Sequence, residues 1–395
     1  MLEENKALRM RLHSLTIFRG LLEDPVVSRL AALLHAQPSD AEACADAYCA
    51  FAAALYERGG DLSTYLLKAV LEDENLYVRR AASGASIPAE LAECLQHELC
   101  FLQELSQFDG AALRGALKGA FLPRWGTQTL DFAARYEENI RPLPLHGYGI
   151  YAKYHVFTVH SGAIVPVRHP DPQRLDELSG YERERGKVIA NTRALLEGRP
   201  ASNVLLYGDA GTGKSSTVKA VANAFADEGL RLIEVKKNQL YQIPDLVETL
   251  SANPLKFILF IDDLSFSTND NDFAALKAIL EGSVSSRSSN LAVYATSNRR
   301  HLVKETFSDR EGDEIHLADT MQELMSLSAR FGLTITFSRP DKELYCHIVQ
   351  NLALLYGIEM PEAELMIKAE AHAIRNGGRS PRVAKQFIEL LKAEV

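Results

Sequence analysis

Eight consecutive residues constrain this chain more than any other feature: Gly208-Asp209-Ala210-Gly211-Thr212-Gly213-Lys214-Ser215. They fit G-x-x-x-x-G-K-[ST] without deviation. The apolar run Val204-Leu205-Leu206-Tyr207 precedes them, and a helix is expected from Ser216 to Phe225. A strand, a glycine-rich turn and a helix in that order aim successive backbone N–H groups at one spot, which makes an anion-binding nest. Lys214 adds a point charge suited to β- and γ-phosphates, and the Ser215 hydroxyl is suited to Mg2+. A random chain of this length matches the pattern roughly once in 70, before the flanking strand and helix are required.

About 50 residues downstream, Phe257-Ile258-Leu259-Phe260-Ile261 reads as a buried strand ending in Asp262 and Asp263. That spacing places Asp262 beside the metal and Asp263 nearer the γ-phosphate, where a carboxylate orients or deprotonates water. The strand Leu291-Ala292-Val293-Tyr294-Ala295 ends in Thr296-Ser297-Asn298. Neighbouring strand ends of a parallel sheet converge on one crevice. Asn298 therefore reads either as a water-positioning amide or as a turn-forming residue. Two arginines follow. Arg330 lies in Ser328-Ala329-Arg330-Phe331-Gly332, just before the strand Leu333-Thr334-Ile335-Thr336-Phe337. Gly378-Arg379-Ser380-Pro381-Arg382 reads as a helix cap, a proline at the first position and an arginine facing back.

In this order the parts resemble an AAA+ ATPase module, and the likeness extends over residues 174 to 395. The runs Asn203 to Gly208, Ile261 to Phe266 and Leu327 to Gly332 look closest to an uncharacterised bacterial AAA+ family known as a domain of unknown function. The resemblance implies ATP and Mg2+ as cofactors. By motif, Gly208, Asp209, Ala210, Gly211, Thr212, Gly213, Lys214, Ser215 and Ser216 would cradle the phosphates, and Ser215 and Asp262 would hold the metal. Lys214, Asp263, Asn298 (sensor 1), Arg330 (arginine finger) and Arg382 (sensor 2) would carry the chemistry. Gly180 and Tyr181, in the segment before the phosphate loop, would border the adenine. A finger acting in trans implies a homo-oligomer, a hexamer or an open ring. The activity implied is ATP hydrolysis coupled to remodelling or loading of a macromolecular client. The alternative is an ATP-gated switch or scaffold with little turnover, which the short Asp263 side chain favours over the more usual Asp-Glu ending.

The surroundings fill in the rest. Short apolar strands separated by helical stretches indicate a parallel sheet covered on both faces, so the fold class is α/β: a five-stranded P-loop core over 174–338 and a helical lid over 339–395. Residues 1–145 read as an all-helical domain, with Asp24-Pro25, a capping box at Ser39-Asp40-Ala41-Glu42, a stop at Gly59-Gly60, and a helix from Ser86-Ile87-Pro88 to Phe108. Residues 146–173 read as a β-prone linker. The net charge of −9 is uneven: residues 1–140 carry −7 and the remainder −2. The acidic helical domain is thus expected to engage a basic or apolar partner, while nucleic acid stays open as a client of the motor. No signal-like or membrane-spanning run is present in the sequence, and the five cysteines include no C-x-x-C pair; both fit a cytoplasmic protein without membrane contact. Cys94, His97 and Cys100 read as buried thiols around a histidine sooner than as a metal site. Tyr241, after the second strand, reads as a helix-packing residue more readily than as a client-gripping loop. The segment Lys304 to Asp319 reads as a solvated loop or a client contact.

Overall fold

The helix starts of the N-terminal third follow from side chains that satisfy the orphan N–H groups of a first turn. In the computed structural model, which describes residues 2–37, 39–117, 121–264, 276, 280, 290–298 and 330–393, the chain divides into two units, 1–153 and 154–395. The first unit contains α1 (Leu2–His13), α2 (Pro25–His35), α3 (Ala41–Tyr56), α4 (Leu62–Glu72), α5 (Leu76–Ala82), α6 (Ala89–Leu105), α7 (Ala111–Ala116), α8 (Phe132–Ile140), α9 (Leu143–His146) and α10 (Ile150–Lys153). Asp24 accepts from Val26 N and Val27 N ahead of Pro25, and turns Val26, Val27, Leu30, Leu33 and Leu34 into the core. The cap of α3 is Asp40 alone, accepting from Ala43 N, in place of the expected Ser39–Glu42 box.

Two interactions organise this unit. Trp125 packs its ring against Phe51 at 4.8 Å and Tyr48 at 5.1 Å while donating Nε1–H to Phe108 O at 2.7 Å. Glu98, buried on α6, accepts from three successive backbone N–H groups, those of Thr16, Ile17 and Phe18. A carboxylate so placed replaces its water shell with donors that have no other partner, which pins the α1–α2 connection to α6. On the same helix, Cys100 is exposed and Cys94 only half-buried. The helical spacing gives the core to Leu95, Leu99, Phe101 and Leu102, so the expected buried thiols do not form; nor do three metal-ligating groups gather anywhere among the described residues.

The second unit is built on a sheet of β1 (Val156–His160), β2 (Ala163–Pro166), β3 (Val204–Gly208), β4 (Leu230–Glu234), β5 (Lys256–Ile261), β6 (Leu291–Ser297) and β7 (Leu333–Phe337). The spatial order is β2-β1-β4-β5-β6-β3-β7. The five expected strands run parallel to one another. The stretch expected as a linker extends the sheet to seven. Val156, Phe157 and Val159 are buried, and β1 pairs in parallel with β4, Val156 opposite Leu232, while β2 folds back antiparallel on the edge. β2 points alternate residues to solvent, as an edge strand should.

Helices α11 (Glu182–Leu196), α12 (Lys214–Ala224) and α13 (Ile243–Ser251) belong to the sheet region, and α14 (Lys342–Tyr356), α15 (Glu362–Arg375) and α16 (Pro381–Lys392) follow it. Tyr345, Ile348 and Val349 of α14, Ala369 of α15 and Ala384 and Ile388 of α16 share one core with Val204, Leu206 and Ile335 of the sheet. Tyr241 is 65% exposed, against expectation. It lies in a 3-10 turn over Lys237–Gln242, whose geometry sends Leu240 inward instead. The segment Lys304 to Asp319 lies outside the described residues. No described helix is long and apolar enough to cross a membrane.

Two substitutions test this account. Glu98→Ala strands the buried N–H groups of Ile17 and Phe18 and the half-buried one of Thr16, and chemical denaturation should show the first unit destabilised by about 3 kcal/mol. At Gly208 (φ +139°) a Cβ would stand 2.1 Å from Phe337 O. Gly208→Ala should therefore lower the stability of the second unit by at least about 3 kcal/mol, with the helical unit unaffected.

Candidate nucleotide site

The strand register brings the site together. Gly208 lies opposite Phe337, Tyr207 opposite Ser297, and Ile261 opposite Ala295. The residues that follow these strands, Asp209, Asn298 and Asp262, therefore emerge side by side at the carboxyl edge of the sheet. There the chain turns through Gly208, Gly211 and Gly213, all at positive φ, and enters α12 at Lys214. Positive φ is open to glycine without a Cβ penalty. It lets the 208–213 loop close around one point.

Lys214 occupies that point. Only 5% exposed, it donates from Nζ to Gly208 O at 2.9 Å, Asp209 O at 2.7 Å and Asn298 Oδ1 at 3.0 Å. Burial lowers its pKa, opposed by the carboxylates of Asp209, Asp262 and Asp263. Thr212 Oγ1 donates to Asp209 O and braces the loop from within.

The acidic end is equally connected. Asp262 Oδ1 accepts from Ser215 Oγ at 2.6 Å and from Thr296 Oγ1 at 2.5 Å. Thr296 Oγ1 in turn accepts from Asp263 N at 2.9 Å. This buried hydroxyl therefore orients both aspartates. It was missed in the sequence, although it stands two residues before Asn298 at the same strand end. Asp263 sits at φ +51°, and its Oδ1 accepts from Asn298 Nδ2 at 2.9 Å. Asn298 thus bridges Lys214 and Asp263.

The lid closes over the loop. The α16 cap Ser380 accepts from Val383 N at 3.2 Å, and Arg382 N donates to Gly211 O at 3.1 Å. A Cβ on Gly211 would lie 3.2 Å from Arg382 Cβ, so the close approach needs a glycine there. Asp209 turns away from the cleft: its Oδ2 accepts from Arg339 N at 2.9 Å. Between loop and lid lies a cleft of about 800 Å³, within the range of small-ligand sites. Ala210, Gly211, Thr212, Gly213, Lys214, Ser215 and Ser216 line it, with Asp262, Asp263, Asn298 and Arg382. Leu178, Ile348, Leu352, Leu355 and Tyr356 add apolar surface to the lining, beside the charged Glu177, Arg185, Lys385 and Lys392; α14 supplies four of the five apolar residues, and no motif in the sequence announced them.

Five expected residues do not line the cleft: Gly208 and Asp209, whose carbonyls accept from Lys214, and Gly180, Tyr181 and Arg330. Gly180 and Tyr181 are not lining residues; Leu178 and Ser179 are. Both Gly180 (φ +77°) and Tyr181 (φ +60°) are left-handed, which turns Tyr181 away from the cleft. Its ring packs 5.3 Å from that of Phe337 and its hydroxyl donates to Ser338 O at 2.6 Å. Arg330 precedes β7, at the opposite end of that strand from Phe337 and the loop. The five residues of β7 alone put roughly 15 Å between them.

Solved structures similar to this chain include RuvB of Thermotoga maritima, a Holliday junction branch migration motor, at 18% identity over 56% of this chain and 65% of that one, with a TM-score of 0.38. AMPPCP-bound DnaA of Aquifex aeolicus is similar at 16% identity over 57% and 66%, TM-score 0.40. The ORC2 protein of Aeropyrum pernix is similar at 17% over 57% and 64%, TM-score 0.39. The chain thus matches about two thirds of the length of each. Phosphate loop, acidic strand end, polar strand end and helical lid follow one another in this structure in the order of an AAA+ module. Residues 151–395 match the family described as "Protein of unknown function (DUF815)"; with more than half of the chain in that match, the protein belongs to the DUF815 family.

Proposed function

We propose that the cleft binds ATP with Mg2+ and hydrolyses it, and that turnover drives remodelling or loading of a macromolecular client. One observation carries this reading above the others: a buried lysine whose ammonium, among the described residues, is held by carbonyl and amide oxygens at the centre of a glycine loop. Those oxygens are weak partners for a full charge, so a phosphate oxygen is a better one. The donor set fits the metal as well. The Ser215 hydroxyl and the Asp262 carboxylate are adjacent hard oxygens, the type Mg2+ takes alongside substrate phosphates. Bound there, the ion would neutralise charge on the phosphates.

The chain's own residues then have separable tasks. The loop N–H groups and Lys214 orient the phosphates. Asp263, held by Asn298 through its Oδ1, accepts the proton of an attacking water or orients it. Arg382, at the start of α16 against Gly211, brings a guanidinium from the lid to the phosphates, so the lid angle follows nucleotide state. Arg330, placed before β7 at the end remote from its own cleft, acts on that of a neighbouring copy in a ring, where it stabilises transition-state charge. The acidic 1–153 unit engages the client, a basic or apolar surface, with nucleic acid a candidate for the motor. A second reading, an ATP-gated switch with little turnover, is favoured by the tie between Asp263 and Asn298; single-turnover hydrolysis measured beside ATP affinity separates the two.

Two variants test the proposal. Lys214→Ala should weaken Mg-ATP binding by at least about 100-fold in calorimetry; unchanged affinity would refute the site. Arg330→Ala should keep ATP affinity within about twofold yet lose at least about 100-fold in turnover at concentrations where the wild type is assembled. Mixing it with Lys214→Ala subunits should restore part of the rate. Full activity of Arg330→Ala alone would remove the role in trans.

A further inference from the structure

Among the described residues, the lining of the cleft includes one buried cation besides Lys214, and the proposed chemistry leaves it unused. Arg185, on the first turn of α11, lines the cleft and is 8% exposed. Its Nη1 donates to Gly180 O and its Nη2 to Glu182 Oε1 at 3.2 Å. A guanidinium has five N–H donors, and these bonds use two of them among the described residues. Burial lowers the pKa of Arg185, with Glu182 opposing. Burying a guanidinium is unfavourable unless its donors find acceptors.

The strap that Arg185 holds is tied at every residue. Ser179 Oγ accepts from Asn351 Nδ2 of α14 at 2.9 Å. A Cβ on Gly180 would lie 3.0 Å from Ile348 Cδ1. Tyr181 bonds to Ser338 O behind it. The Gly180 carbonyl is oriented by Arg185, so the two left-handed residues in succession hold Leu178 and Ser179 at the cleft wall. Leu352 and Tyr356 line the same cleft. Leucine and tyrosine faces accept any flat ring, and they cannot tell a base from another planar group. A fixed, planar set of donors can.

We propose that Arg185 is the base-recognition residue of this cleft: it positions the 178–181 strap through the Gly180 carbonyl and presents its remaining donors to ring nitrogens of a purine. This rests on the nucleotide reading above, and the test keeps the two apart. Mg2+-dependent binding of ATP and of inorganic tripolyphosphate is compared for the wild type, Arg185→Met and Arg185→Lys. The tripolyphosphate engages the phosphate loop and carries no base. The wild type should bind ATP at least tenfold more tightly than tripolyphosphate. In Arg185→Met that preference should shrink at least tenfold with tripolyphosphate affinity within twofold of wild type, and Arg185→Lys should recover part of it.

A preference unchanged in Arg185→Met overturns the assignment. A wild type that binds neither ligand sinks the nucleotide reading instead. If Arg185→Met fails to fold, the wild type itself decides through 1-deaza-, 3-deaza- and 7-deaza-ATP. At least one of these, lacking the ring nitrogen that accepts, should bind fivefold or more weakly than ATP, whereas equal affinity for all three contradicts the contact.

Discussion

The site depends on where the ammonium of Lys214 is placed. A desolvated charge has to be surrounded by oxygens, and here they are the carbonyls of Gly208 and Asp209 and the amide oxygen of Asn298. Each oxygen is delivered by a different constraint. Gly208 supplies its carbonyl only because, without a side chain, it can press against the backbone of Phe337. Asp209 is held by Arg339 N. Asn298 arrives through the pairing of β3 with β6. The loop is therefore not an isolated turn; three strands and the start of the lid segment converge on a single charge.

That convergence explains how the lid can respond to the cleft. Gly211 lies against the start of α16, with its carbonyl bonded to Arg382 N and a Cβ there crowded to 3.2 Å from Arg382 Cβ. On the other side, the strap 178–181 joins α14 through Ser179–Asn351 and the end of β7 through Tyr181–Ser338. In the proposed nucleotide reading, phosphates and base would meet the lid at two separate points. A ligand that engages both shifts the lid only by its differential affinity for the two lid positions, which is the form that coupling to a client would take.

Much of this was legible in the sequence, for a physical reason. The phosphate loop, the Asp262-Asp263 strand end and the five core strands are local patterns, and local chemistry specifies them. What failed was non-local. Val156 to His160 reads as a β-prone linker because its partner, β4, lies some 70 residues away. Apolar lining of the cleft comes from Leu352 and Tyr356, which carry no motif and join Leu178 at the cleft only once α14 is in place. Tyr241 was assigned to packing, yet the 3-10 turn buries Leu240 in its place. Gly180 and Tyr181 lie one step past the residues that line the cleft, a displacement that two left-handed residues produce and no periodicity reveals.

The central claim is that the three oxygens around Lys214 stand in for a phosphate. A crystal structure of the protein with Mg2+ and a non-hydrolysable ATP analogue tests it most directly. The account predicts that Lys214 Nζ leaves Asn298 Oδ1 for an oxygen of the β- or γ-phosphate, with the metal at Ser215 and Asp262 and the base against Leu178. An analogue absent from the cleft at saturating concentration, or a Lys214 that keeps all three protein contacts while the analogue binds elsewhere, would contradict it.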